Sequence, residues 1–128
     1  MRLRWYFDFV SPFSYLHWHK LKALPEVARI APVPIVFGAV RQHLHTRRPA
    51  EIPHKRRRFT YQFVQWQAQQ EGVPLRFPPA HPFNPLAVLR LCIAAGSTAQ
   101  AIDVLFDGCG ATATPAATPR QPTHAAAC

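Results

Sequence analysis

Within the first forty residues a strand pattern runs straight into a helix start and then into a second strand, and this constrains the fold more than any other feature of the chain. Residues 3–10 alternate, with Leu3, Trp5, Phe7 and Phe9 on one face and Arg4, Tyr6, Asp8 and Val10 on the other. Strict alternation with aromatic enrichment favours a strand. Ser11-Pro12 follows at once, serine suiting an N-cap and proline the first helical position. Phe13, Leu16, Lys20 and Leu24, with Leu21 beside them, then recur at helical spacing until Pro25 interrupts. A second apolar run over residues 33–37 predicts another strand. Its Pro34 has no N–H for a ladder, so that strand belongs at a sheet edge or is entered late. Strand, helix and strand in this order make a βαβ unit, which requires a parallel pair and a right-handed crossover.

The rest of the chain reads as helical. A loop over 41–52 leads into a helix over about 53–71, with Phe59, Phe63 and Trp66 on one stripe and Gly72 as its stop. After a proline-rich connection over 73–82, Asn84-Pro85 repeats the cap-plus-proline start. Leu86, Leu89 and Ile93 form the inner stripe of that helix before Gly96. Ser97 or Thr98 caps one more helix, carrying Ile102, Leu105 and Phe106. Fourteen prolines in 128 residues agree with elements this short. Residues 108–128 differ in kind: fourteen of the 21 are Ala, Thr or Pro, and none is aromatic, Leu, Ile or Val. Such a stretch buries too little apolar surface to offset its ordering entropy, and a disordered tail is expected.

One modest domain accounts for the length. Fifteen Lys+Arg against six Asp+Glu leave a net charge of +9, so the natural partners are anions. No apolar run approaches the ~20 residues of a membrane-spanning helix, and neither a membrane partner nor an export signal is expected. Cys92, Cys109 and Cys128 share no short spacing and are not joined by histidines at zinc-ligand distances. A disulfide scaffold and a metal site are therefore not expected, and the reducing cytoplasm is the expected compartment.

Ser11 carries the strongest chemical signal. A serine at a helix start brings a hydroxyl, backbone N–H groups and the positive end of the helix dipole together, which suits an anion or a thiolate. The plainer alternative is that it only caps the helix. The basic run His54-Lys55-Arg56-Arg57-Arg58 opens a helix, the electrostatically wrong end for cations. It reads as a solvated face, as a nucleic-acid contact, or as a source of charge for a carboxylate near Ser11, supplied by Lys55 and a neighbour. Cys92, between Leu91 and Ile93, reads as a small buried hydrophobe.

FDFVSPFSYL, PAEIPHKRRR, GVPLRFPPAHPFNPL and the following LRL resemble, in collinear order over about residues 3–107, the 2-hydroxychromene-2-carboxylate isomerases. These are relatives of kappa-class glutathione transferases and, more distantly, of the DsbA disulfide oxidoreductases. The resemblance implies an α/β, thioredoxin-like fold, with the βαβ unit over about 3–40 and an inserted helical domain over about 50–107. It implies glutathione as cofactor, with Ser11 positioning the thiolate and Pro12 and Phe13 completing the helix start. Lys55 matches a family lysine and, with Phe83 and Asn84, would line the substrate cleft. The glutathione contact expected from the loop at 44–48 falls on Thr46 or Arg47. Family members continue past the position of Asp107 into further thioredoxin core, so the chain is expected to be cut short there, with an aberrant tail over 108–128.

By this resemblance the activity is a glutathione-dependent cis-trans isomerisation of a small aromatic carboxylate, as in aromatic-compound degradation, with a homodimer as the assembly suggested by kappa-type relatives. A kappa-type transferase or a DsbA-like oxidoreductase is the alternative, the latter disfavoured by serine standing where that chemistry needs cysteine. The non-enzyme alternative is a basic anion-binding or nucleic-acid-binding protein, although nucleic acid is not the expected partner.

Overall fold

The computed structural model describes residues 2–45, 53–78 and 80–109. Strand β1 (Leu3–Phe7) is followed by helix α1 (Pro12–Leu21), a 3-10 turn (Val27–Arg29) and strand β2 (Ile30–Pro34). Helices α2 (Phe37–His43), α3 (His54–Glu71), α4 (Leu86–Ala94) and α5 (Ala99–Gly108) complete the order. β1 and β2 pair in parallel, Leu3 opposite Ile30 and Phe7 opposite Pro34, so the expected βαβ unit forms. The Ile35 N–H donates to the Phe7 carbonyl at 2.9 Å. Backbone groups alternate sides along a strand. Ala31, Val33 and Ile35 therefore turn theirs toward β1, and Pro32 and Pro34 turn theirs away from it.

The second strand lies three residues earlier than the apolar run 33–37 suggests, and Phe37 opens α2 instead of ending a strand. α2 also takes up the start of the stretch read as a loop from residue 41. The Asp8 carboxylate explains the change: its Oδ2 accepts the Phe37 N–H at 2.8 Å, satisfying a helix-start donor from outside the helix.

The core forms where α1 and α5 cover β1. Phe7 and Phe9 are buried with Tyr15, Leu16, Trp18, Ile102 and Phe106. Trp5 stacks on Phe7 at 4.5 Å and on Trp18 at 5.5 Å between ring centroids. Val64 and Ala68 of α3 and Leu89 and Cys92 of α4 close the same cluster, so Cys92 is the small buried hydrophobe its context implied.

Helical spacing gave the inner faces only in part. Leu16 of α1 is buried as spaced, but Lys20 is exposed, Leu24 lies exposed beyond the end of α1, and Tyr15 and Trp18 are buried. Both can go inside because each polar tip finds a partner. The Tyr15 hydroxyl donates to the Pro74 carbonyl at 2.6 Å, and the Trp18 indole N–H donates to Asp103 at 2.6 Å. In α3 the aromatic stripe faces outward: Phe59 is 67% exposed and Trp66 55%. The small pair Val64 and Ala68, one turn apart, is what the core accepts, because it lets the α3 backbone come close. In α4 Leu89 and Cys92 turn inward, while Ile93 is 61% exposed.

The capping signals were more faithful. Ser11 Oγ accepts the Ser14 N–H at 3.3 Å and Thr98 Oγ1 the Ala101 N–H at 3.2 Å, whereas α4 is capped by Pro85 and Asn84, one residue earlier than a cap, only takes the Leu86 N–H at 3.1 Å. Gly72 ends α3 in the left-handed region at φ 66°, which costs glycine no Cβ clash. The tail boundary at 108 moves: Gly108 closes α5 and Cys109 is buried. Residues 110–128 lie outside the described residues.

Tyr15 gives a direct test of α1 packing. Tyr15→Phe keeps the ring and removes the bond to Pro74, so unfolding stability should fall by about 1 kcal/mol in a denaturant titration. Burial, with Asp107 and Asp103 nearby, pushes the Tyr15 hydroxyl up to about 12 from 10.0. The folded value lies above the unfolded one, so this contribution is complete below 10.0 and is lost as pH rises toward 12. Tyr15→Phe should remove that part of the alkaline loss of stability.

Candidate functional site

The site grows from the end of β1. Asp8 is 2% exposed, and its two carboxylate oxygens serve two segments. Oδ1 accepts the Val10 N–H at 3.3 Å and Oδ2 the Phe37 N–H. One side chain thus fixes both the turn that delivers Ser11 and the start of α2. Burial raises the Asp8 pKa, opposed by the N–H groups of Phe37, Val10 and Phe9. The Asp8 N–H in turn donates to Ser14 Oγ at 3.4 Å, tying the strand end to the first turn of α1.

Beside Ser11 opens a cavity of about 660 Å³ between the start of α1, helices α2 and α3 and the connection before α4. Val10, Pro12, Phe13, Phe37, Pro53 and Pro82 supply apolar wall, and Ser11, Thr60, Tyr61 and His81 supply polar groups. Among the described residues three cations line it: Arg41 from α2, with its guanidinium 5.7 Å from the Phe37 ring centroid, and Arg56 and Arg57 from α3. None of the described lining residues is acidic, so their charge favours an anion.

His81, from the connection before α4, forms a half-buried polar pair with Tyr61 of α3. His81 Nε2 lies 2.7 Å from the Val10 carbonyl, and its Nδ1 lies 2.7 Å from the Tyr61 hydroxyl, which is also 3.0 Å from the His81 carbonyl. The rings of Phe77 and Phe83 meet the imidazole edge to face at 5.5 and 6.1 Å. Burial lowers the His81 pKa, with Arg57 adding to the effect and the bond to Val10 opposing it. Burial raises that of Tyr61, against Arg57.

Of the residues singled out from the sequence, the structure brings Ser11, Pro12 and Phe13 together on the cavity wall. Lys55 is exposed and does not line the cavity. Residues 56, 57, 60 and 61 form the face of α3 that does, and residue 55 lies a further ~100° around the helix. Phe83 packs half-buried against the core, and Asn84, exposed, does not line the cavity and accepts the Leu86 N–H with its Oδ1. Thr46 and Arg47 lie outside the described residues. Sequence reasoning gave no role to Asp8, Arg41 or His81, and offered Tyr61 only as an aromatic beside the basic run that could meet a nucleic-acid base. The only sequence signals were an acid placed just before the Ser-Pro start and a histidine set among prolines.

Among the described residues no group of three His, Cys, Asp or Glu side chains could hold a metal ion. No helix among them is long and apolar enough to cross a membrane. Cys92 and Cys109 are buried in the core rather than on the cavity wall.

No curated protein and no solved structure matches the chain. A family match does exist, and it covers residues 2–121. It continues past Asp107, where the sequence resemblance was taken to end, and overlaps most of the stretch read as foreign to the family. With the parallel βαβ unit, the helices that follow it and a polar helix start beside a cavity, the chain belongs to the DSBA-like thioredoxin domain family.

Proposed function

We propose that the chain is a glutathione-dependent isomerase of the 2-hydroxychromene-2-carboxylate type. The observation that carries this reading is the serine helix start opening onto a cavity that, among the described residues, is lined by Arg41, Arg56 and Arg57 and by mostly apolar walls. The donor set fits the cofactor. Ser11 Oγ accepts from the Ser14 N–H, which leaves its own hydroxyl proton to donate to a sulfur anion. The dipole of α1 adds partial positive charge at the same point. Glutathione bound there would supply a thiolate able to add reversibly to a conjugated double bond, with no net redox change.

The chain's own residues hold charge and exclude water. Arg56 and Arg57 meet the substrate carboxylate, the role the resemblance gave to Lys55, and Arg41 faces them from α2. Phe13 and Phe37 offer flat apolar surface to an aromatic ring. Disulfide exchange is disfavoured because the helix start reads Ser11-Pro12-Phe13-Ser14 and both described cysteines lie in the core.

The test is absorbance-monitored turnover of 2-hydroxychromene-2-carboxylate with added glutathione. Ser11→Ala should lower the rate about tenfold to a hundredfold, the worth of one hydrogen bond to an ion. The lost cap should cost only about 1 kcal/mol of stability. No turnover in the wild type, or an unimpaired mutant, would sink the reading. Accumulation of a glutathione conjugate in place of the trans product would turn it into a transferase.

A further inference from the structure

His81 and Tyr61 line the same cavity, and their bonds leave only two consistent proton arrangements. The Val10 carbonyl can only accept, so His81 Nε2 carries a hydrogen in both. When the imidazole is neutral, Nδ1 is a bare acceptor and takes the Tyr61 hydroxyl proton at 2.7 Å. Tyr61 then shows the cavity only oxygen lone pairs, which repel an anion. When the imidazole is protonated, Nδ1–H donates to the Tyr61 oxygen instead. The hydroxyl proton is released, and without a ligand it can rest on the His81 carbonyl 3.0 Å away.

We propose that Tyr61 and His81 recognise the anionic head of the cavity's ligand, and that a proton on His81 turns Tyr61 from an acceptor into a donor toward that anion. The ligand class is an aromatic or conjugated acid whose charged head reaches Tyr61 near Arg57. The proposal rests on the cavity being the ligand site of the function above, but not on glutathione. The aromatic contacts from Phe77 and Phe83 hold the imidazole in the plane that both bonds require. Burial and Arg57 keep His81 neutral at neutral pH, so recognition strengthens on acidification. The other ionisable groups around the pair among the described residues are Arg41, Arg56, Arg57 and Asp8, the last of which is bonded to the Val10 N–H.

The probe is benzenesulfonate, whose charge does not change over the working range. Its affinity for the full 128-residue chain should rise about tenfold as pH falls through the His81 transition, the low end of what a hydrogen bond to an ion confers. His81→Gln, which keeps a donor for Val10, and Tyr61→Phe should both bind with no such rise. A pH-independent wild type, or a rise retained in either variant, would overturn the proposal. Should His81→Gln fail to fold, saturating benzenesulfonate must still raise the His81 pKa, followed by imidazole NMR, by about one unit through linkage. An unmoved pKa would overturn it equally. A chain that binds benzenesulfonate in this manner yet ignores glutathione would refute the isomerase reading and leave the recognition pair standing.

Discussion

Phe106→Ala is expected to cost about 3–5 kcal/mol of unfolding free energy, the range for deleting a fully buried phenylalanine. Its ring is 1% exposed and meets Phe9 at 4.7 Å, Tyr15 at 5.7 Å and Phe7 at 6.3 Å between centroids. It therefore joins α5 to both β1 and α1. Domains have only ~5–15 kcal/mol in total, so a large share of the stability should go with this one side chain. Urea denaturation followed by tryptophan fluorescence measures the loss, since Trp5 and Trp18 stack beside the same cluster. Ile93→Ala serves as the contrast. The sequence stripe places Ile93 inside, whereas its 61% exposure predicts a change within about 0.5 kcal/mol. Equal losses in the two variants would refute the packing described.

Asp8→Ala should cost about 2–4 kcal/mol, because it strips acceptors from the Val10 and Phe37 N–H groups, each loss being worth about 1–3 kcal/mol where water cannot substitute. The damage should be local as well as global. Hydrogen exchange at Phe37 and along α2 should accelerate beyond what the fall in global stability explains. The pH dependence has a definite sign. The folded pKa of Asp8 lies above its ordinary 3.8, chiefly through burial. Its contribution is therefore fully present below 3.8 and is lost as pH rises through the folded value. The stability of the wild type relative to Asp8→Asn should accordingly decline as pH rises. A difference that grew with pH would mean that the carboxylate is held ionised.

What could be read in advance was local. The Ser11 and Thr98 caps and the Gly72 stop depend on residues within a few positions of one another, and they appear where the sequence put them, while β2 starts three residues earlier and the α4 cap falls on Pro85 instead of Asn84. Inner faces were less legible. Tyr15 and Trp18 enter the core only because Pro74 and Asp103, distant in the chain, accept their polar hydrogens. Phe59 and Trp66 stay outside because Val64 and Ala68 allow a closer helix approach. The site divides in the same way. Ser11 was visible from its own neighbours, whereas His81 meets Val10 across 71 positions. Asp8 looks like one more outward residue of an alternating strand until Phe37 arrives to claim it.

The prolines of β2 have a consequence for how the sheet can grow. Pro32 and Pro34 hold the positions whose amides would face away from β1, and neither has a hydrogen to give. A newcomer approaching that flank finds carbonyls without their complementary donors, much as edge prolines blunt exposed strands elsewhere. On the flank of β1 away from β2 the outward amides are those of Arg4 and Tyr6, and neither is a proline, so both can donate. The sheet is thus a ratchet with one permitted direction: any added strand must join beside β1, and β2 remains its outer boundary.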